Sequence, residues 1–316
     1  SLTLNLKDPR AIEVVHRLLE TRDILVEQFR PGVMRKFGLA HDQLAETFPS
    51  LVYCSLTGYG QTGPLRDRAG HDINYLALSG LMGYAGRKET GPVPMPLQIA
   101  DVASGSHNAI IAILAAVIHR QRTGKGQHLD IPMTDGAVAF NAMAAAACLA
   151  VGEEVEREGF ILNGGSLYDF YRTSDGGYLG FGGIEPQFFS AFCRAIGRPD
   201  LIAGGVAPPD CAAVKEEVRA IFAGKTRREW EAIFAGIDTA DLGVAPSLRH
   251  KEALERASAR FDKSISNLRG GLPFEIVAAD LQGGNHLVRK ILPCCHDAQV
   301  GSKLLCLRSQ GSDCII

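Results

Sequence analysis

The hydrophobic pattern of the first sixty residues alternates between helical spacing and short unbroken apolar runs. Apolar residues recur at helical spacing over 9–20, which predicts an amphipathic helix. The runs 23–26 and 51–56 are apolar at nearly every position, as is typical of strands that are buried on both faces. This order predicts an α/β protein with a covered parallel sheet. The alternating residues 2–6 predict one further strand.

The middle of the chain contains the longest apolar segments. The predicted elements are helices over 71–81, 101–123 and 135–151, with a strand over 128–131. The most apolar stretches within them, 109–118 and 137–151, are shorter than the roughly 20 residues that a membrane-spanning helix needs. We therefore expect buried core helices and no association with a membrane.

A smaller unit of mixed structure is predicted after the charged stretch 153–158. The run Ser174-Asp175-Gly176-Gly177 lies between apolar segments and predicts the turn of a hairpin. Helices are predicted over 186–196, 211–222 and 226–234. The last of these begins with a Thr-x-x-Glu capping box at Thr226.

Composition narrows the function classes. Of the 316 residues, 46% are apolar and 22% charged, and 33 basic against 35 acidic residues leave a formal charge of -2. No basic block indicates a nucleic-acid track or an anionic-membrane patch, so a small molecule is the expected partner.

Eight cysteines without a CxxC pair favour neither a disulfide framework nor a zinc site, and they fit a reducing compartment.

A glycine-rich loop follows the second predicted strand. Gly58-Tyr59-Gly60-Gln61-Thr62-Gly63 matches the dinucleotide motif GxGxxG, but Pro64 follows at once and no helix is predicted there. The dinucleotide motif needs a helix N-terminus for the pyrophosphate. The loop is better suited to bring backbone close to an extended ligand such as pantetheine, and a plain surface turn is the alternative.

His71 and Asp101 each stand at the start of a predicted helix. A helix N-terminus favours a neutral imidazole that can accept a proton; the alternative for His71 is a helix-start residue bonded to backbone, with Asp72 or Asn74 as the cap. The alternative for Asp101 is N-capping of the long helix. A capping carboxylate suits a nucleophile and is a weak general base unless burial raises its pKa.

Two further groups are candidates for the same site. Glu185 directly precedes a predicted helix and could orient the ring of His71 and stabilise its imidazolium, or it could be a solvated glutamate. The basic residues Arg30, Arg35 and Lys36 follow the first strand and could contact the phosphates of a nucleotide-tailed ligand, or they could form a solvated helix face.

Taken together, these runs resemble the family III CoA-transferases, the CaiB/BaiF superfamily, and most closely their α-methylacyl-CoA racemase branch. The resemblance covers roughly residues 1–250 and rests on many short runs in the same order. The matching runs are Ser1–Lys7, Phe29–Val33, Thr57–Pro64, Gly70–Gly80, Ile99–Asp101, Thr123–Gln127, Asp135–Gly136 and Ile184–Gln187.

The resemblance implies an α/β fold with two domains. Residues 1–160 would form a large Rossmann-like CoA-binding domain that lacks its first strand, and residues 161–255 a small α+β domain. The Cys-rich residues 256–316 do not resemble the family and are expected to form a tail of uncertain structure. Family members carry a segment before the position of Ser1, so the true start is expected upstream.

The resemblance also implies roles for individual residues. His71, paired with Glu185, and Asp101 would be the two bases that flank the α-carbon of a thioester. The residues expected to bind the CoA part are Arg30, Lys36, Gly58, Tyr59 and Gly60. Backbone N–H groups near Asp101 are expected to stabilise the enolate. No metal or other cofactor is needed, because coenzyme A is part of the substrate.

These inferences predict a cytoplasmic isomerase that racemises 2-methylacyl-CoA thioesters through an enolate. It is expected to act as an interlocked homodimer, with the active site between the large domain of one subunit and the small domain of the other. One alternative is CoA transfer between carboxylic acids through an aspartyl-CoA thioester at Asp101. The other is a catalytically incomplete CoA-binding or dimerising remnant.

Overall fold

The computed structural model describes residues 2–207, 211–235, 237, 243–249 and 252–253, together with the backbone of 304–307. The described residues up to 246 and the strand at 304–307 belong to one compact unit. Most of the predicted tail, including the region of the four last cysteines apart from the backbone of Cys306, lies outside the described residues.

Helices and strands alternate along the chain. The helices are α1 Pro9–Leu19, α2 Val33–Lys36, α3 His41–Leu44, α4 Asp72–Leu78, α5 Leu81–Tyr84, α6 Asn108–Thr123, α7 Met133–Phe140, α8 Ala142–Val151, α9 Pro186–Ala195, α10 Cys211–Ala223 and α11 Arg227–Phe234. A π-helix, Ile99–His107, directly precedes α6, and a 3-10 helix spans Pro199–Gly204. The strands are β1 Ile24–Glu27, β2 Val52–Thr57, β3 His128–Pro132, β4 Asp169–Arg172, β5 Tyr178–Phe181, β6 Val244–Pro246 and β7 Leu304–Leu307.

A parallel sheet with the strand order β3-β2-β1-β7 organises the first part of the chain, as the sequence predicts. The side chains of Leu25 and Tyr53 pack with α1, α2 and α3 on one face of it. Those of Ile24 and Val52 pack against Ala116 of α6 on the other face. Because successive strand residues point to opposite faces, the unbroken apolar runs of β1 and β2 serve both layers.

The second sheet is antiparallel, with the order β4-β5-β6, and contains the predicted hairpin. Aromatic side chains fill the space between this sheet and α9, α10 and α11. The buried aromatic residues are Tyr171, Phe181, Phe189, Phe192, Phe222, Trp230 and Phe234. The predicted helices here lie within one residue of the observed bounds, and Thr226 caps α11 as predicted. The division at residue 160 into two domains stays a prediction.

Several predicted elements differ from the structure. Residues 2–6 form no strand; Leu4 and Leu6 instead pack into the core under α1. The predicted helix 71–81 breaks at Gly80, whose φ of 87° interrupts the right-handed helical backbone. The predicted helix 135–151 is two helices, α7 and α8, bent by 68°.

The prediction that the two most apolar helices are buried in the core is wrong for an isolated chain, because part of their apolar surface is exposed. Seven large apolar side chains on α6 and α8 are each more than half exposed: Ile110, Ile111, Leu114, Ile118, Met143, Leu149 and Val151. The π-helix and α6 together span the 25 residues Ile99–Thr123, which by length and composition alone could cross a membrane. The bent pair of α7 and α8 meets the same test if it is counted as one span. Core helices meet the same criteria, and exposed apolar surface of this kind indicates an interaction surface.

A cluster of charges around the buried carboxylate of Asp169 joins the segment after α5 to β4 and α10. The Asp169 carboxylate, 5% exposed, accepts from Arg87 Nη2 at 2.5 Å and lies 2.8 Å from Lys215 Nζ. Burial alone would raise the pKa of Asp169, but the hydrogen bonds from Arg87 and Lys215 outweigh it and the pKa is lowered. Asp169 is therefore ionised in the folded protein at neutral pH.

We expect Asp169→Asn to lower the free energy of unfolding by about 3 kcal/mol at neutral pH, since the buried ammonium group of Lys215 then loses its ion pair. The pKa of Asp169 is lower in the folded protein than in the unfolded chain, so ionised Asp169 stabilises the fold at every pH above its unfolded pKa. This stabilisation is lost as the pH falls through the folded pKa. The difference from wild type should therefore close in acid.

Urea unfolding at several pH values measures this effect. The control is Asp42→Asn, which breaks the exposed pair with Arg35 and should lower the free energy of unfolding far less, because solvent screens an exposed ion pair. Equal losses in the two variants would contradict the role given to the buried carboxylate of Asp169.

Candidate active site

A cleft of about 570 Å³ opens at the carboxyl ends of β1 and β2, where ligands bind in open parallel sheets. Its walls come from the loops after these strands, the start of α4, the π-helix and the start of α7. Five of the eight predicted site residues line it. They are Arg30, Gly58, Tyr59, His71 and Asp101. The structure thus brings the two predicted bases into one cleft.

His71 occupies the N-cap position of α4, with extended backbone. Its backbone N–H donates to Asn74 Oδ1 at 2.9 Å, so Asn74 closes the first turn, one of the two caps that the sequence leaves open. Asp72, the other, serves a different partner: its Oδ1 accepts the backbone N–H of Asp101 at 3.0 Å.

Asp101 is the third residue of the π-helix, whose N-cap position is Gln98. The N-capping interpretation of Asp101 is therefore wrong. Its carboxyl group is partly buried, and burial first, followed by the charge of Asp72, raises its pKa, while His71 acts in the opposite direction. This raised pKa is the condition under which the residue can serve as a general acid or base.

The expected oxyanion donors near Asp101 are partly occupied. The N–H of Asp101 is bonded to Asp72, and the N–H of Val102 donates to Gln98 O at 3.0 Å. These two amides are therefore already satisfied and are not free to bind an enolate oxygen.

The side chains of Tyr59 and Tyr75 leave no room for a Cβ atom at the two glycines near His71, Gly58 and Gly70. A Cβ atom at Gly58 would overlap the ring of Tyr75, and one at Gly70 would crowd both Tyr75 and Tyr59. The rings of Tyr59 and Tyr75 meet edge to face at 5.2 Å, and the Tyr75 hydroxyl donates to Gly70 O at 2.7 Å. Burial raises the pKa of Tyr75 to about 12, so it remains a neutral donor.

Gly60 has a separate role in the same loop. Its φ is 83°, its N–H donates to Thr57 Oγ1 at 3.0 Å, and a Cβ there would meet Pro132 and Asp130. No helix follows Gly63 until α4 begins at Asp72, which agrees with the exclusion of a dinucleotide motif. Gly60 shapes the turn after β2 and does not line the cleft.

Two more predicted residues lie away from the cleft. Lys36 is exposed on α2, and Glu185 is exposed at the N-cap position of α9. Conversely, Arg66 and Arg68, which are not among the predicted site residues, line the cleft beside Arg30. Their position in the sequence, between the glycine-rich loop and His71, is the feature from which their place in the cleft could be predicted.

The sequence profile of CoA-transferase family III matches residues 1–290, and the chain belongs to this family. The expectation that the family resemblance ends near residue 255 is therefore wrong for residues 256–290. Its fold is similar to that of a CaiB/BaiF family protein from Brucella suis, with a TM-score of 0.66 and 26% identity over 87% of this chain and 74% of that one. A hypothetical protein from Mycobacterium tuberculosis gives a TM-score of 0.68 and 30% identity, over 83% and 71%.

Relatives with named activities fall into two reaction classes. Human α-methylacyl-CoA racemase is 36% identical over 256 residues, 80% of this chain but only 66% of the racemase. Mouse succinyl-CoA:glutarate CoA-transferase is 34% identical over 248 residues, 75% of this chain and 55% of the transferase. The family includes racemases and CoA-transferases, and identities of this size do not separate the two.

We expect Gly58→Ala to lower the free energy of unfolding by about 1 to 3 kcal/mol, because the added methyl group displaces the ring of Tyr75. The matched control is Gly83→Ala on α5, where a Cβ meets nothing within 4 Å and a helical alanine is neutral or slightly stabilising. Chemical denaturation of both variants measures the difference. Equal stabilities would show that Tyr75 moves aside freely.

Proposed function

We propose that the protein racemises 2-methylacyl-CoA thioesters by a 1,1-proton transfer through an enolate. The observation that supports this proposal best is the presence of His71 and Asp101 in one cleft, on separate elements. The similarity to racemases from human and mouse, at 36% and 34% identity, supports the same reaction.

The reaction needs two groups that exchange protons with one carbon from opposite sides. The α-proton of a thioester is weakly acidic, so a base must stand close to it and an acid must return a proton to the other face. Asp101, with its raised pKa, is better matched to a weak carbon acid than an ordinary carboxylate, and imidazole exchanges protons near neutral pH.

The substrate's CoA part would be held by the basic wall of the same cleft. Arg30, Arg66 and Arg68 line it, and guanidinium groups bind phosphate through paired hydrogen bonds. We propose that they contact the phosphates of CoA, with the thioester directed towards His71 and Asp101. Coenzyme A enters as part of the substrate, and the proposed reaction uses no further cofactor.

CoA transfer between carboxylic acids is the second candidate. Two observations favour it. The chain is 33–34% identical to CoA-transferases, and the carboxyl group of Asp101 lies in the cleft. In this reaction the Asp101 carboxylate would attack the thioester carbonyl and expel the CoA thiolate, which leaves an acyl-aspartyl anhydride. The thiolate would then attack the aspartyl carbonyl, release the donor carboxylate and form the aspartyl-CoA thioester. His71 is required by the racemase proposal and is dispensable as a base in the transfer.

We also propose that two copies of the chain form a homodimer in which Glu185 completes the site of the partner. Glu185 is exposed and lies outside the cleft of its own chain. The seven exposed apolar side chains of α6 and α8 supply a surface that a second copy would cover. Carboxylate support for His71 would then come from the small-domain part of the partner.

The proposal predicts that, in heavy water, the protein incorporates deuterium at the α-carbon of a 2-methylacyl-CoA, as followed by NMR. We expect His71→Ala and Asp101→Ala to lower the rate of deuterium incorporation with inversion of configuration by about 100-fold or more, since inversion needs both proton-transfer groups. His16→Ala on α1, outside the cleft, should exchange at the wild-type rate. Inversion at the wild-type rate by His71→Ala would contradict the assignment.

Incubation with a carboxylic acid acceptor separates the two reactions. Formation of a new CoA thioester that survives in His71→Ala, with a thioester trapped at Asp101, would establish transfer in place of racemisation. CoA binding without either activity would identify an incomplete remnant.

The dimer proposal predicts that co-expressed His71→Ala and Glu185→Ala chains regain activity, because half of the sites in each mixed dimer are intact. With random pairing we expect about a quarter of the wild-type rate, measured on the purified mixture. Ile111→Glu on α6 should shift the protein to a monomer by light scattering. Activity no higher than that of the separate variants would exclude a shared site.

A further inference from the structure

The first turn of α4 and the π-helix are joined by one hydrogen bond that the predicted roles of their residues do not require. Asp72 Oδ1 accepts the backbone N–H of Asp101 at 3.0 Å. Asp72 directly follows His71 in the chain, so the bond connects the backbone carrying one proposed base to the backbone carrying the other.

Asp72 can make this contact because another residue, Asn74, closes the first turn of α4. An acidic residue in the first turn normally supports its own helix end, but in α4 Asn74 Oδ1 accepts the N–H of His71 at 2.9 Å. The carboxylate of Asp72 is therefore directed out of its own helix and towards the π-helix.

The π-helix needs such an acceptor. The first amides of any helix have no partner within that helix, and the wider i to i+5 repeat of a π-helix increases their number. Asp101 lies in this first turn, and on the other side of the same residue Ser106 Oγ donates to Asp101 O at 3.1 Å. Side chains thus hold both backbone polar groups of Asp101.

We propose that Asp72 is a positioning residue of the reaction, which holds the backbone of Asp101 against the start of α4 and so fixes its carboxyl group relative to His71. The inference rests on the proposed proton transfer at Asp101. In that reaction, a displacement of about 1 Å between a base and the reacting carbon costs about 100-fold in rate.

The same contact places a second negative charge beside Asp101. After burial, the charge of Asp72 is the next cause of the raised pKa of Asp101, and His71 opposes it. The other groups around the cleft are Tyr75 of α4, whose hydroxyl stays neutral, and Arg30, Arg66 and Arg68 on the loops. Of the carboxylates that line or adjoin the described cleft, Asp72 is the one that bonds to the backbone of Asp101.

Three variants separate position from charge. Asp72→Asn keeps an oxygen that can accept the N–H of Asp101 but removes the charge, whereas Asp72→Ala removes both. Ser106→Ala is the matched control, since it removes one hydrogen bond to the backbone of Asp101 and no charge.

The first measurement is the titration of Asp101 by carboxyl NMR of protein labelled with [4-13C]aspartate, with Asp101→Asn to assign the signal. We expect the midpoint to fall in Asp72→Asn, because the neighbouring negative charge is gone, and to stay unchanged in Ser106→Ala. An unchanged midpoint in Asp72→Asn would overturn the charge effect, whatever the activity of the protein.

The second measurement is the pH profile of α-deuterium exchange. In Asp72→Asn the acidic limb should move to lower pH, and in Asp72→Ala kcat should fall about 10- to 100-fold while KM changes little. A wild-type kcat in Asp72→Ala would overturn the positioning role. Absence of exchange in the wild type would refute the racemase proposal, and the NMR titration would still decide the effect of Asp72 on Asp101.

Discussion

The position of strand β2 is the constraint on which the rest of the large sheet and its cleft depend. All six residues of β2 are buried, and the strand pairs in parallel with both β1 and β3. Its carboxyl end leads directly into Gly58, whose carbonyl oxygen accepts from the Thr134 hydroxyl at 2.8 Å and from the Thr134 N–H at 3.0 Å. One buried strand end therefore fixes both the glycine-rich loop and the start of α7, two walls of the cleft.

Much of this arrangement follows from the sequence. Unbroken apolar runs locate β1 and β2, and a parallel sheet requires that their carboxyl ends lie at one edge. His71 and Asp101 are recognisable because each opens a helical segment near that edge. Their shared cleft could therefore be predicted from local pattern and family resemblance, without any knowledge of side-chain contacts.

Other features could not be read from the pattern, for identifiable reasons. The π-helix has no periodicity signal of its own, so the pattern starts the helix at Asp101 and leaves N-capping open as its alternative role, whereas Asp101 lies inside the π-helix. Gly58 and Gly60 are both glycines of one motif, but Tyr75 requires the first and a positive φ requires the second. Apolar periodicity identified α6 as a helix that must be covered; it carries no information about whether its own chain or another covers it.

The environment of Asp101 bears on the choice between the two proposed reactions. A carboxyl group whose proton is held by burial and by a neighbouring carboxylate is a better acid and base, whereas the same group in a more polar setting is an ionised nucleophile. The surroundings of Asp101 therefore bear on whether it would transfer a proton or attack the thioester. In this chain, burial and Asp72 raise the pKa of Asp101, which supports the proposal of proton transfer, and His71 in the same cleft would supply the second group of that reaction.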